Sequence, residues 1–365
     1  MINIKVPGKL MIAGEYAVLE KNQKCIVAAI NRYVETSIES SIKNQLFLPD
    51  LKLKDIFFEL EDGNVEFSIE DSRLSFLRNS ISVVVRFLKE NSIELISFKL
   101  SIKSQLDDAL SGKKYGLGSS AAIVVAAISS ILALHNKDEF LNHDTIFKLS
   151  VIAHLKTQGN GSGADIAAGV YGGWLEYSAF DSKWLLNELE SSDKIKDIVE
   201  KPWRNLIIRK LTPPSELKLV VGWTKETAST SPMIRKAESF KKENPHIYKE
   251  FLKGSSIAVD NLIKAFNDSS FEDSISSLSE NRKALKNFGE VAGIPIETKK
   301  LTALCFIGER YGSAKSSGAG GGDCGIAFLK GDYKKQELYK EWEKADIEVL
   351  DLQISEAGVS FKILT

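Results

Sequence analysis

The chain has too few cysteines for a disulfide framework. Cys25, Cys305 and Cys324 are odd in number, far apart and form no CxxC pair, which predicts a reducing, cytosolic compartment. The four histidines, His135, His143, His154 and His246, show no ligand spacing, so no structural zinc site is expected. Long apolar runs are also missing. The longest, Ala121 to Ile128, falls far short of the roughly 18 residues a membrane span needs, and the opening INIKVPGK has no signal-peptide core. Neither sign of charge dominates: 48 Lys plus Arg stand against 49 Asp plus Glu. That balance gives no reason to expect nucleic acid or an anionic membrane surface as a partner. No obligatory protein partner is evident. An anion bound here must be held by local arrangement.

Glycine, by contrast, is present and clustered. Seventeen of the 25 glycines fall in four segments: Pro7 to Leu19 (PGKLMIAGEYAVL), Gly112 to Ala122 (GKKYGLGSSAA), Gly159 to Gly173 (GNGSGADIAAGVYGG) and Gly312 to Gly325 (GSAKSSGAGGGDCG). Glycine lets backbone N–H groups approach a ligand or lets the chain take φ > 0. Four such loops predict convergence on one anion-binding cleft.

Patterning predicts strands at 2–6, 26–42, 97–103, 174–180, 216–224, 325–329 and the chain end. Helices are expected at 76–90, 119–135, 144–157, within 181–203, and at 235–252, 255–267, 270–288 and 296–310. Strands and helices without strict βαβ alternation indicate an α+β fold. At 365 residues, about two domains are expected.

Gly116-Leu117-Gly118-Ser119-Ser120-Ala121 opens a long apolar helix. Free N–H groups and the positive helix end make such a turn a phosphate site. Its match to G-x-G-x-x-A is misleading, because no strand runs directly into it and a second helix follows. The P-loop pattern is absent. A serine-capped turn without a ligand is the plain alternative. Lys9 is either a phosphate-neutralising lysine or one that snorkels from an edge strand. Asp165 is either a helix cap or a cleft carboxylate. The run Gly320-Gly321-Gly322 is costly in entropy for a simple loop, which favours close approach to a substrate. Asp323 is a candidate to orient that loop. Cys324, with no base in view, is expected to be inert.

Together the segments resemble the GHMP kinase family, whose three motifs occur here in order: P-G-K…G-E-Y-A-V-L, G-L-G-S-S-A and S-G-A-G-G-G-D. Four details are similar to the branch that phosphorylates (R)-5-phosphomevalonate: the lead-in Lys113-Lys114-Tyr115, KTQGNGSGADIAAGVYGG, VGWTKETASTS (221–231) and SSGAGGGDCGIAF. The Pro-rich lead-in of the wider family is lost. The resemblance implies a two-domain GHMP kinase fold, divided here as 1–205 and 206–365, with ATP and phosphomevalonate in the cleft between domains. It implies that Lys114 and residues 116–121 wrap the ATP phosphates, that Ser120 helps hold Mg2+, and that Lys9 and Asp165 stand at the reacting centre. Tyr16, Ser162 and Gly320 to Gly322 are then expected at the acceptor, with Lys113, Lys156, Lys225 and Arg235 as further candidates to balance its charge.

Overall fold

The computed structural model describes residues 1–61, 63–108, 111–135, 138–227 and 230–363. Ala228 and Ser229 of the 221–231 segment lie outside the described residues.

Two sheets organise the chain. The first contains β1 (Ile2–Ala13), β2 (Lys24–Ser40), β3 (Gln45–Leu48), β4 (Leu53–Glu61), β5 (Asn64–Phe67), β6 (Phe98–Ser104), β7 (Trp174–Ser178), β8 (Ile207–Leu211) and β13 (Ser360–Ile363). The second, entirely antiparallel, orders β10 (Gly312–Ser316), β11 (Cys324–Lys330), β9 (Leu217–Trp223) and β12 (Glu348–Leu350). In the first, the path runs β13-β1-β2-β6-β3-β4-β5, and β7 pairs with both β2 and β8. The expected division at 205/206 therefore falls between two strands of one sheet, and the chain end returns to pair with β1.

Helices α1 (Ser75–Glu90), α2 (Ser119–Leu134), α3 (His143–Gln158) and α4 (Ala164–Tyr171) pack with the first sheet. α2 is apolar nearly all round because it lies among β1, β2, α1, α3 and α4. The short α5 (Ser182–Ser191) and α6 (Ile195–Glu200) follow. The other lobe carries α7 (Thr230–Glu243), α8 (Pro245–Asn267), α9 (Phe271–Ala292), α10 (Lys299–Gly308) and α11 (Lys335–Lys344).

Three differences from the sequence reading have physical causes. The first glycine segment is largely not a loop: residues 7–13 continue β1 against β2, with register shifts at Pro7/Gly8 and Met11/Ala13 absorbing the irregularity. The helix break expected near 252–255 lies at Asn244, before Pro245 at the start of α8. Proline is tolerated in a first turn and ends what precedes it, whereas Gly254 sits inside α8 facing Ala284 of α9. Strands β3 to β5 were not expected, although Ile56 and Phe58 point inward around an exposed Phe57.

Candidate active site

The glycine turn expected to hold phosphate ends at Gly118, which takes a left-handed conformation (φ 84°) as N-cap of α2 and makes no side-chain cap bond. Glycine is the residue for that conformation. The serine-cap reading is thereby corrected: Ser119 and Ser120 do not cap α2. Their hydroxyls and the first-turn N–H groups are left to the cleft, at the positive end of a 16-residue helix.

Lys9 reaches the same place from β1. Its backbone N–H donates to the Leu117 carbonyl (2.9 Å), and its Nζ donates to the Gly116 carbonyl (3.2 Å). The ammonium is held at the loop instead of snorkelling to the surface. Gly116 in turn lies so close to Asp323 that an added Cβ would meet its carboxylate oxygen at 2.6 Å. Asp323 is fixed by its own backbone: its N–H donates to the Glu226 carbonyl (2.8 Å), and its carbonyl accepts from the Thr224 N–H (2.9 Å). The third family motif thus braces the phosphate loop.

Asp165 is in the first turn of α4, whose N-cap is Gly163, so it is not the cap. Its Oδ1 accepts the Ile166 N–H (3.0 Å). Ser162 also faces the cleft, but its hydroxyl accepts the Ala164 N–H (3.3 Å) and its carbonyl accepts the Tyr177 hydroxyl. Tyr16 is buried, donates to the Ala319 carbonyl (2.6 Å) and sets its ring edge against Phe288. Burial, then the neighbouring Glu15, pushes its phenol well above the usual range and keeps it a donor.

Lys9, Tyr16, Lys114, Gly116, Leu117, Gly118, Ser119, Ser120, Ser162, Asp165 and Gly320 all line one cleft of about 360 Å3. Three expected residues do not. Ala121 is buried and belongs to the hydrophobic core. Gly321 donates its N–H to the Ile296 carbonyl (3.0 Å), and Gly322 packs on Glu226. The close approach these glycines permit is to the protein's own backbone. None of the four further cation candidates lines the cleft, whereas Lys114 does. Lys113 donates to the Lys225 carbonyl (3.1 Å), Lys225 pairs with Asp346, and Arg235 is exposed on α7. Lys156 is exposed on α3; desolvation first, then the Arg86 charge, lowers its pKa.

Several lining residues were missed. Glu15 lines the cleft and forms a buried ion pair with Lys315 behind it, signalled only by a glutamate in GEY and a lysine in a small-residue run. His154 and Gln158, four apart on α3, share its cleft-facing side. Met11, Val18, Leu19 and Ile234 supply an apolar wall. Cys324 is buried and donates to the Tyr115 carbonyl (3.1 Å); burial, then Asp323, pushes its thiol far up, so it is no nucleophile. Among the described residues, no group of three or more His, Cys, Asp or Glu is placed to hold a metal.

Two family models match: GHMP kinases N terminal domain over residues 79–173 and GHMP kinases C terminal over 262–348. The phosphomevalonate kinase of Streptomyces sp. (strain CL190) is 30% identical over 97% of this chain and 97% of its own. The chain belongs to the GHMP kinase family. Its fold is the two-domain α+β fold of that family. The solved Lin0012 protein from Listeria innocua superposes with a TM-score of 0.92 at 36% identity, covering 99% of each chain. The Streptococcus pneumoniae phosphomevalonate kinase in complex with phosphomevalonate and AMPPNP superposes at 0.86, with 29% identity over 97% of this chain and 100% of that one. The GHMP motifs of the present chain are the segments that its fold brings to the cleft.

Proposed function

We infer that this kinase transfers the γ-phosphoryl of ATP to the phosphate of (R)-5-phosphomevalonate, releasing ADP and (R)-5-diphosphomevalonate. What carries the reading is the full-length match to phosphomevalonate kinases, one of them solved with both phosphomevalonate and a nucleotide analogue.

Phosphoryl transfer asks a protein mainly for positioning and charge neutralisation. The open N-terminus of α2, with Lys114 at its lead-in, is suited to cradle the nucleotide phosphates. Lys9, held at the same loop, would neutralise the transferred group as charge moves onto it. Mg2+ entering with ATP needs no protein cage, because its shell is largely phosphate and water. The uncommitted Ser120 hydroxyl and the Asp165 carboxylate are the donors that would hold it. When bound, it would neutralise charge on the phosphates. Tyr16, Ser162 and Gly320 mark the acceptor side.

The acceptor is already a phosphate monoester with a second pKa near about 6, so at neutral pH it is mostly dianionic and needs little general base. Asp165, one of whose oxygens is engaged by backbone, is therefore assigned an orienting role toward Lys9 and the cation. Three buried free thiols support a cytosolic setting. A coupled ADP assay with phosphomevalonate, mevalonate, homoserine and galactose tests the reading: turnover should be confined to phosphomevalonate, and preference for mevalonate would replace it with a mevalonate kinase.

A further inference from the structure

Beside the cleft lies a second groove of about 450 Å3, formed where residues 179–183 face α7 and the start of α8. Tyr16, Leu19 and Ile234 line both spaces, while the phosphate loop lines only the cleft. These three residues therefore form a partition between the two spaces. Four of the groove's polar side chains are engaged within the protein. Lys241 pairs with Glu20 (2.6 Å), Tyr248 donates to Glu20 (3.1 Å), and Asp181 caps α5 through the Trp184 N–H. The groove thus offers spare volume beside the cleft.

The partition is unevenly secured. Tyr16 is tied at both ends, by Ala319 and by Phe288. Leu19 and Ile234 are aliphatic and hold their places by packing alone. We propose that Leu19 and Ile234 are specificity-determining residues that limit the size of the acceptor's carbon skeleton, and that removing either opens the cleft into the second groove. This rests on the acceptor being phosphomevalonate, whose phosphate faces the loop and whose branched carbon then faces this wall.

The test uses the full chain as Leu19→Ala, Ile234→Ala and the double variant, with phosphomevalonate and its 3-ethyl and 3-propyl homologues. A pocket wall reads one methylene as about 10- to 200-fold in kcat/KM. Each single variant should therefore raise the 3-propyl to 3-methyl ratio of kcat/KM at least about tenfold, with the KM for ATP unmoved. A ratio unchanged from wild type in both variants overturns the proposal, as does an equal fall with every acceptor. Should Ile234→Ala fail to fold by thermal melting, Leu19→Ala and Ile234→Val decide. Wild-type turnover of phosphomevalonate tests the functional reading separately. The homologue ratio measured as binding, by calorimetry without ATP, decides the partition even if that turnover fails.

Discussion

The ammonium of Lys315 meets the carboxylate of Glu15 beside the cleft, with side chains 0% and 2% exposed. Lys315 is on β10 in the second sheet, and Glu15 follows β1 in the first. Two more bonds run alongside: Ser317 Oγ to the Met11 carbonyl (2.9 Å) and Tyr16 to Ala319 (2.6 Å). The end of β1 and the residues just after it are thus tied to β10 and the third family motif at three points, and the buried pair couples the two lobes at the cleft.

Breaking that pair should be costly. Lys315→Met strands a buried carboxylate, which typically costs about 3–5 kcal/mol. Urea denaturation should show a loss of that order, and adding Glu15→Leu to Lys315→Met should recover part of it, because no charge is then stranded. A single-variant loss below about 1 kcal/mol would mean the pair is not buried in solution.

Lys9→Met should lower kcat by about a hundredfold or more, the scale for removing one preorganised electrostatic contact. Asp165→Asn should cost less if it orients and does not abstract a proton. The acid limb of the rate profile should then follow the acceptor phosphate near about pH 6 and remain in Asp165→Asn. Loss of both turnover and limb in that variant would restore Asp165 as a base. Steady-state kinetics from pH 5 to 8 make the comparison.

Most of this site was legible because its chemistry is written in local clusters. A glycine turn before an apolar helix predicts an open helix end, and Gly118 supplies it. What was not legible depended on partners far along the chain. Gly321 and Gly322 face Ile296 and Glu226, a packing constraint that one segment cannot reveal. The Glu15–Lys315 pair joins residues 300 positions apart. In the fold, the hydrophobic α2 was plain from its length, whereas β3 to β5 were hidden by acidic residues on their wet face, as in DIFFELE at 55–61. That β8 and β13 join the first sheet across the 205/206 line was not legible, because sheet membership is a non-local property.

Asp346 accepts from Lys300 (2.7 Å) and Lys225 (3.0 Å), and their charges hold its carboxyl down to about 2. A depressed carboxyl contributes stability above its unfolded value near about 4 and loses it as pH falls through the folded value. The stability difference between wild type and Asp346→Asn should therefore be constant from pH 7 to about 5, shrink below about 4 and vanish near 2. The cluster is exposed, so salt should shrink it at neutral pH as well. Chemical denaturation across pH and ionic strength reads both, and a difference that survives at pH 2 would assign the effect to something other than charge.

Gly116 and Gly159 separate backbone strain from function. Both take left-handed φ, 79° and 78°. A Cβ on Gly159, the C-cap of α3, would meet nothing within 4 Å. A Cβ on Gly116 would press on Asp323 at 2.6 Å. Gly159→Ala should therefore cost only the left-handed strain, about 1–2 kcal/mol, with kcat and the KM for ATP intact. Gly116→Ala pays the same strain and must also move either Asp323 or the phosphate loop, which displaces the carbonyl that Lys9 holds. Its KM for ATP should rise and its kcat fall, each by about tenfold, since small misplacements at a phosphoryl-transfer centre are costly. Equal kinetics in the two variants would show that Asp323 yields freely, and that the third motif does not brace the loop.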